Sequence, residues 1–349
     1  MNILGITDCV AWNTGACLLK DGELVAFAEE ERFTRHKHAA YTFPDQAVQF
    51  CLRKGNLNIN DIDILAIAHS DLDTIRNFWE SDECLTPALI EFPKWKSLEW
   101  FPEKTTFYEE KRKLLDRGLM TSKLEKTPLQ RYHHNDCHAA SATWSCPFTE
   151  CNYMAADGEG GEDSGVFGYF KDDALHRLGF YHQLGPFGGF YTDITIALGF
   201  KKHSAEGKTM GLASYGKIDK KLLPEFFHHY PKGILQPKTM EYFNWLNSLD
   251  EDLKLKLNVG KTKKLTKEAC NLAATAQHYL EKLMINNFKV LYEHTANKNF
   301  AVAGGTFLNC SMNGKLSQCD FVDHLFVQPA AHDSGSALGA AILCHMENL

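Results

Sequence analysis

The sequence predicts an α/β protein assembled from two related halves, and three observations carry that reading. Apolar runs of strand length alternate with helical stretches along the 349 residues. The segment TGACLLKDGELVAF (Thr14 to Phe27) returns as SGVFGYFKDDALHRLG (Ser164 to Gly179). Each copy passes from a small residue and a glycine into an apolar strand, a Lys-Asp turn and a return strand, which suggests an internal duplication. Near the end, a strand runs into Gly304-Gly305 and then a helix, a unit that brings backbone N–H groups and a helix N-terminus to a phosphate.

Taken in order, Asn2 to Thr7 is uncharged and suits a buried strand, Ala16 to Leu19 a second, and Leu24 to Ala28 the return across Lys20-Asp21-Gly22. In the polar turn between the first two, Gly15 lets a ligand approach the backbone. The block EEERFTRHKH (Glu29 to His38) reads as a solvated charged loop. Pro44 to Lys54 is an amphipathic helix with Ala47, Val48, Phe50, Cys51 and Leu52 inward, and Ile62 to Ala68 a further buried strand. From 70 to 128 aromatics interleave with charge and no clean strand is visible, so a helical insertion is expected there. Beyond the middle, Tyr191 to Leu198 is helical between glycine-rich loops, the second of which holds Lys208 and Lys217. Thr266 to Ala296 is the longest helix.

The segment Arg131 to Gly161 holds most of the chemistry. His134 and His138 are four apart, so a helix puts them on one face about 6 Å apart at Cβ, where two imidazoles can share a metal ion. With 16 histidines, chance supplies about 0.7 such pairs, so the spacing alone is weak. Asp157 ends a strand, where open α/β sheets place ligands, and Gly158 follows it in a carboxylate- and glycine-rich turn. Asp333, ahead of a small-residue helix, is placed to complete a metal site with the two histidines.

Composition narrows the class. Hydrophobic content of 44% and charge of 23% are those of a globular chain, and the length suggests two domains, 1–150 and 151–349. A net charge of −7 argues against a protein built to hold nucleic-acid phosphates. Eleven cysteines without a CxxC read as free thiols in a reducing compartment. No apolar run reaches the roughly 20 residues that cross a bilayer, and no signal segment is evident. A cytoplasmic protein is expected, with an oligomer possible, no membrane and no nucleic acid.

Six blocks in order, EEERFTRHKH, HHNDCHAASA, DGEGGE, EGKTMGLASYG, AGGTFLNCSMNGK and QPAAHDSGSALGAA, resemble the NodU/CmcH-type O-carbamoyltransferases, and the similarity runs from Ile3 to Leu343. It implies the duplicated actin/sugar-kinase/Hsp70-like (ASKHA) fold and transfer of a carbamoyl group from carbamoyladenylate to a hydroxyl, or an amine, of a small acceptor in a biosynthetic pathway. It assigns His134, His138 and Asp333 to a divalent metal, iron first, with zinc, manganese or magnesium as alternatives. That metal would hold the nucleotide phosphate and polarise the carbamoyl carbonyl. Gly304, Gly305 and Asn309 would line the adenosine side, with Gly15 and Gly158 nearby. Asp157 is the candidate for orienting or deprotonating the acceptor. Arg32 and Lys208, with Arg35 and Lys37, would complement the acyl-phosphate charge.

Two departures stand out. Trp12-Asn13 occupies the first loop where the family usually carries His-Asp. The family also continues for about another 200 residues, more than one domain length, into a domain that makes carbamoyladenylate from ATP. A separate carbamoyladenylate-forming partner is therefore expected. The competing readings are a tRNA threonylcarbamoyl transferase-like enzyme, which shares the fold and a helical histidine pair, and a non-catalytic partner subunit.

Overall fold

In a computed structural model, the described residues are 1–69, 84–86, 101–158, 163–182, 185–230 and 232–349. The first half contributes β1 (Asn2–Thr7), β2 (Gly15–Lys20), β3 (Glu23–Glu29), α1 (Asp45–Gly55), β4 (Ile64–His69), α2 (Phe101–Thr121), β5 (Leu129–His133) and α3 (His134–Ser145). The second contributes β6 (Cys151–Ala156), β7 (Asp163–Lys171), β8 (Ala174–His182), α4 (Phe187–Ala197), α5 (Glu206–Ala213), and a small ribbon of β9 (Phe227–His229) with β10 (Leu235–Pro237). It closes with α6 (Lys267–Thr295), β11 (Asn299–Ala303), α7 (Cys310–Leu316), β12 (His324–Val327) and α8 (Ser336–Glu347).

The two main sheets have one topology. The first runs β3-β2-β1-β4-β5 and the second β8-β7-β6-β11-β12. In each, the opening three strands are antiparallel and the last two run parallel to the first. The hairpins form where the sequence places them. Asp21 and Gly22 turn at φ 52° and 84°, and Asp172 and Asp173 at 50° and 55°, the paired positive values of a tight two-residue hairpin turn. The strands carry unbroken apolar runs because both faces are covered. Leu4, Ile6 and Leu18 enter one core with Val48 and Leu52 of α1, while Ile3, Cys17 and Leu19 enter another with Leu338 and Ile342 of α8.

The last helices of the halves are exchanged. Helix α3 follows the first sheet yet packs on β6, β7 and β11, whereas α8 follows the second sheet and packs on β1, β2 and β4. They also pack on each other. A Cβ at Gly339 of α8 would stand 1.7 Å from the Cys137 carbonyl oxygen of α3, so only glycine permits this crossing. Helix α6 closes the second half, with its first turn capped by the Thr266 hydroxyl, which accepts the Ala269 N–H at 3.1 Å.

Some expectations change. Glu206–Ala213, read within a glycine-rich loop, is helix α5, because Thr209 and Leu212 supply a buried stripe three residues apart. The charged block folds into a one-turn helix, Glu31–Thr34, and a 3₁₀ turn, Lys37–Ala39. Of the 70–128 insertion, α2 is helical as expected, while 70–83 and 87–100 lie outside the described residues. No helix among the described residues is long and apolar enough to cross a membrane. All eleven cysteines are free thiols.

The crossing sets a stability test. Gly339→Val should lower unfolding free energy by about 3 kcal/mol or more, read by urea denaturation, because the clash is with backbone. A loss under about 0.5 kcal/mol, within the usual surface range, would show that the helices are not held that closely.

Candidate functional site

The exchange of helices brings three segments of chain to one point. His134 opens α3 and His138 lies one turn on; Asp333 precedes α8; Asp157 follows β6. His134 Nε2 and His138 Nε2 are 3.1 Å apart. Asp157 Oδ2 lies 3.6 and 3.3 Å from them, and Asp333 Oδ1 3.8 and 4.0 Å. One donor atom from each of the four residues falls within 4.8 Å of every other. Ligands held about 2.1 Å from a common ion stand about 3–4 Å apart, so the set fits a divalent cation. The buried Asp157 Oδ2 has no hydrogen-bond partner in spite of the two nearby imidazoles. Two histidines and two carboxylates suit zinc or iron as donors.

Electrostatics within the cluster are opposed. Burial works against a charged His134, yet Asp157, Asp333 and Asp163 outweigh it and raise its proton affinity. Burial wins at His138 and lowers it, although Asp157 pulls the other way. Burial and the Asp157 charge raise Asp333. Burial also acts to raise Asp157, but the two imidazoles reverse it and hold the carboxylate firmly ionised.

A second layer fixes these groups. Asn135 Nδ2 donates to Asp163 Oδ1 at 2.6 Å, and Arg177 of β8 pairs with Asp136, so the first turn of α3 is tied to the second sheet. The Trp12 N–H donates to Asp333 Oδ2 at 2.6 Å, and the Gly158 N–H to Asp157 Oδ1 at 2.7 Å, leaving the other carboxylate oxygens for the cluster. Gln328 Nε2 donates to the Ser141 carbonyl at 2.6 Å, which ties the end of β12 to α3.

A cavity of about 430 Å³ opens onto Asp157 and Asp333. Its lining includes Gly158, Tyr191, Leu280, Gly305, Thr306 and Asn309, together with Trp12, Asn13, His38, Tyr41, His203 and His332. Asn309 spends its side chain on Gln277, accepting from Gln277 Nε2 at 3.1 Å and donating to Gln277 Oε1 at 2.9 Å. Its contribution to the wall is therefore shape and rigidity. Gly304 is at φ 93°, where a Cβ would meet the Ala156 carbonyl oxygen at 2.3 Å; it sets the turn and does not line the cavity.

A family model described as Carbamoyltransferase N-terminus matches residues 2–342. The chain belongs to the carbamoyltransferase N-terminus family. Uncharacterized protein sll1178 of Synechocystis is 31% identical over 98% of this chain and 56% of its own length. Nodulation protein NolNO of Sinorhizobium fredii is 27% identical over 99% of this chain and 48% of its own. The carbamoyltransferase-family chain thus spans about half the length of these curated relatives. Component A of the (R)-2-hydroxyglutaryl-CoA dehydratase of Acidaminococcus fermentans has a TM-score of 0.51 at 14% identity, covering 99% of this chain and 98% of that one. Full-length HypF, in a phosphate- and nucleotide-bound form, has a TM-score of 0.55 at 12% identity, covering 99% and 55%. These likenesses show the fold, which is the duplicated ASKHA type.

Within this carbamoyltransferase-family fold, the structure redistributes the residues singled out from the sequence. His134, His138 and Asp333 converge, and Asp157, read as a base, joins them as a fourth donor. Gly158, Gly305 and Asn309 line the cavity. Gly15 does not line it, and its N–H donates to Thr7 Oγ1 at 3.1 Å. Arg32 is largely exposed and pairs with Glu29 and Glu31, and Lys208 faces outward over the Phe200 ring at 5.9 Å; neither lines the cavity. Sequence reasoning missed the roles of Tyr41, His203 and Tyr191, whose signals were single aromatic residues in loops or at a helix start. It also missed the pair His332 Nε2–Glu29 Oε1 at 2.9 Å.

Two measurements follow. Purified protein should bind one divalent cation, and His138→Ala should weaken binding at least tenfold by calorimetry; full binding by the variant would remove His138 from the site. Separately, the bond to His332 outweighs burial at Glu29 and, with Arg32, lowers its carboxyl from 4.5 to about 2. A depressed carboxyl adds stability that is complete above 4.5 and is lost as pH falls towards 2. Glu29→Gln should flatten the acid limb of stability in that window; an unchanged limb would refute the contribution.

Proposed function

We propose that the chain transfers a carbamoyl group from carbamoyladenylate to a hydroxyl, or an amine, of a small acceptor, at a cavity that holds a divalent cation. The observation that carries this reading is a single cavity lined at once by the glycine loop after β11, by Asp157 and Asp333 of the cluster, and by Trp12 with its ring neighbours. A donor and an acceptor can therefore meet beside one charge.

In the proposed reaction, the acceptor oxygen bonds to the carbamoyl carbon, the bond from that carbon to the phosphate oxygen breaks, and AMP departs. His134, His138, Asp157 and Asp333 would hold the cation, which supplies charge stabilisation at the phosphate and the carbamoyl oxygen. Asp157 Oδ2 lies 3.3 and 3.6 Å from the two imidazoles while its Oδ1 is held by the Gly158 N–H, which favours its role as a ligand over that of a base. The acceptor's proton can leave with AMP, whose phosphate takes up a proton near pH 6 (about the ordinary second value). The Gly305 turn and the Asn309–Gln277 pair give the adenosine side a preformed wall.

The fold is shared with HypF, which was solved with phosphate and nucleotide bound, and this supports a nucleotide ligand. Kinship with a nodulation protein supports a biosynthetic setting. Eleven free thiols support a reducing, cytoplasmic location.

Cation-loaded protein, a separately expressed adenylate-forming domain, ATP, carbamoyl phosphate and a pool of hydroxyl-bearing acceptors should together yield a carbamoylated product by mass. His138→Ala should cut its rate by about 100-fold. Absence of product under a donor supply that serves another transferase would sink the proposal.

A further inference from the structure

Resting on that reading, we propose that the acceptor is an anionic, ring-bearing molecule, a phosphorylated sugar or a nucleotide, seated against Trp12 with its negative group towards Lys37 and Lys201. The lining falls into two chemically unlike groups, the glycine turn beside Asp157 and a lobe of rings around Trp12. A Cβ at Gly305 would stand 2.9 Å from Asp157 Oδ1, whereas the Trp12 N–H binds Asp333, so with the adenosine at the glycine turn an acceptor reaches the carbamoyl carbon from the Trp12 group.

That lobe is a preorganised aromatic surface. The Trp12 ring lies 5.6 Å from His38, 5.5 Å from Tyr41 and 5.0 Å from His203, centroid to centroid. Its indole N–H donates to the His203 carbonyl at 3.0 Å, and its backbone N–H to Asp333. The strap opposite is strained, with His38, Ala39 and Tyr41 at φ 70°, 45° and 59°, values that persist only when surrounding contacts enforce them and that cluster at binding sites. A ring stacked here would sit directly beside the cation.

Charge selects among rings. An aromatic group alone suits a cationic ligand. Lys37, on the strap, and Lys201, on the loop before α5, are both exposed, and among the described residues no ion pair is formed by either. Lys37 directly precedes His38 and Lys201 lies two residues before His203, so both amino groups arise from the segments that carry the lobe's rings. Lys111 lies over the Tyr41 ring at 4.7 Å. The carboxylates beside this lobe are engaged: Glu29 pairs with His332 at 2.9 Å, Glu31 accepts the His38 N–H at 2.6 Å, and Glu206 is spent on its own loop. It accepts from Thr192 Oγ1 at 3.0 Å, from the His203 N–H at 2.7 Å and from the Ala205 N–H at 3.0 Å. The lobe therefore repels ammonium groups and attracts phosphate.

Matched probes test this: phenyl phosphate, phenol and phenyltrimethylammonium, titrated into cation-loaded protein with AMP saturating the donor side. Emission lost in Trp12→Phe isolates the Trp12 signal. Phenyl phosphate should bind at least tenfold more tightly than phenol, and phenyltrimethylammonium least tightly. A Lys37→Ala/Lys201→Ala variant should remove most of that advantage while binding phenol as the wild type does. Glucose 6-phosphate and UMP in place of phenyl phosphate distinguish a sugar from a nucleoside. Wild-type protein that fails to bind AMP sinks the adenylate reading and this proposal with it. AMP binding with phenol or phenyltrimethylammonium level with phenyl phosphate, or an unaltered ranking in the double variant, overturns the acceptor proposal alone.

Discussion

The crossing of α3 over α8 is the constraint on which the remaining geometry depends. Each helix leaves its own sheet and covers the other, so their N-terminal ends meet where β6 also ends. Contact at Gly339 sets how near they come. Spread those helices by even one methyl group and Asp333 retreats from His134 and His138. The alanines, serines and glycines that line both helices are thus a condition for the cluster, since closely packed interiors do not deform smoothly.

Four ionisable groups buried at one point are costly unless their charges balance. Protonating both imidazoles would balance two carboxylates but place four charges in a dry site, and burial resists that at His138. A divalent cation balances the carboxylates while leaving the imidazoles neutral, the state in which they act as ligands. The hydrogen bonds from Trp12 and Gly158 favour this outcome, because each occupies one carboxylate oxygen and leaves the other to face inward.

Much of the fold was legible because its signals are local. The repeated hairpin, the Gly-Gly turn and the long capped helix each depend on neighbours in sequence. The histidine pair was legible for the same reason, as helical spacing fixes one face. What sequence could not supply was direction. Lys208 looked placed for phosphate, but burial of Thr209 and Leu212 turns α5 so that position 208 faces solvent. Arg32 is diverted by Glu29 and Glu31 in its own block. Asp157 was correctly placed at a strand end, yet its membership of the cluster depends on how β6 lies beside α3, which only tertiary packing decides.

Trp12-Asn13 shows how a departure from family pattern can be confined. The group that holds Asp333 is the backbone N–H of Trp12, which any residue but proline provides. Exchange of the side chain therefore leaves the cation cluster intact and acts on the cavity alone. There the indole offers a broad apolar face suited to stacking, and Asn13 Nδ2 lies 3.0 Å from His38 Nδ1, where an aspartate would add negative charge. The first loop thus separates two roles in one residue, with the main chain holding Asp333 and the side chain shaping the cavity.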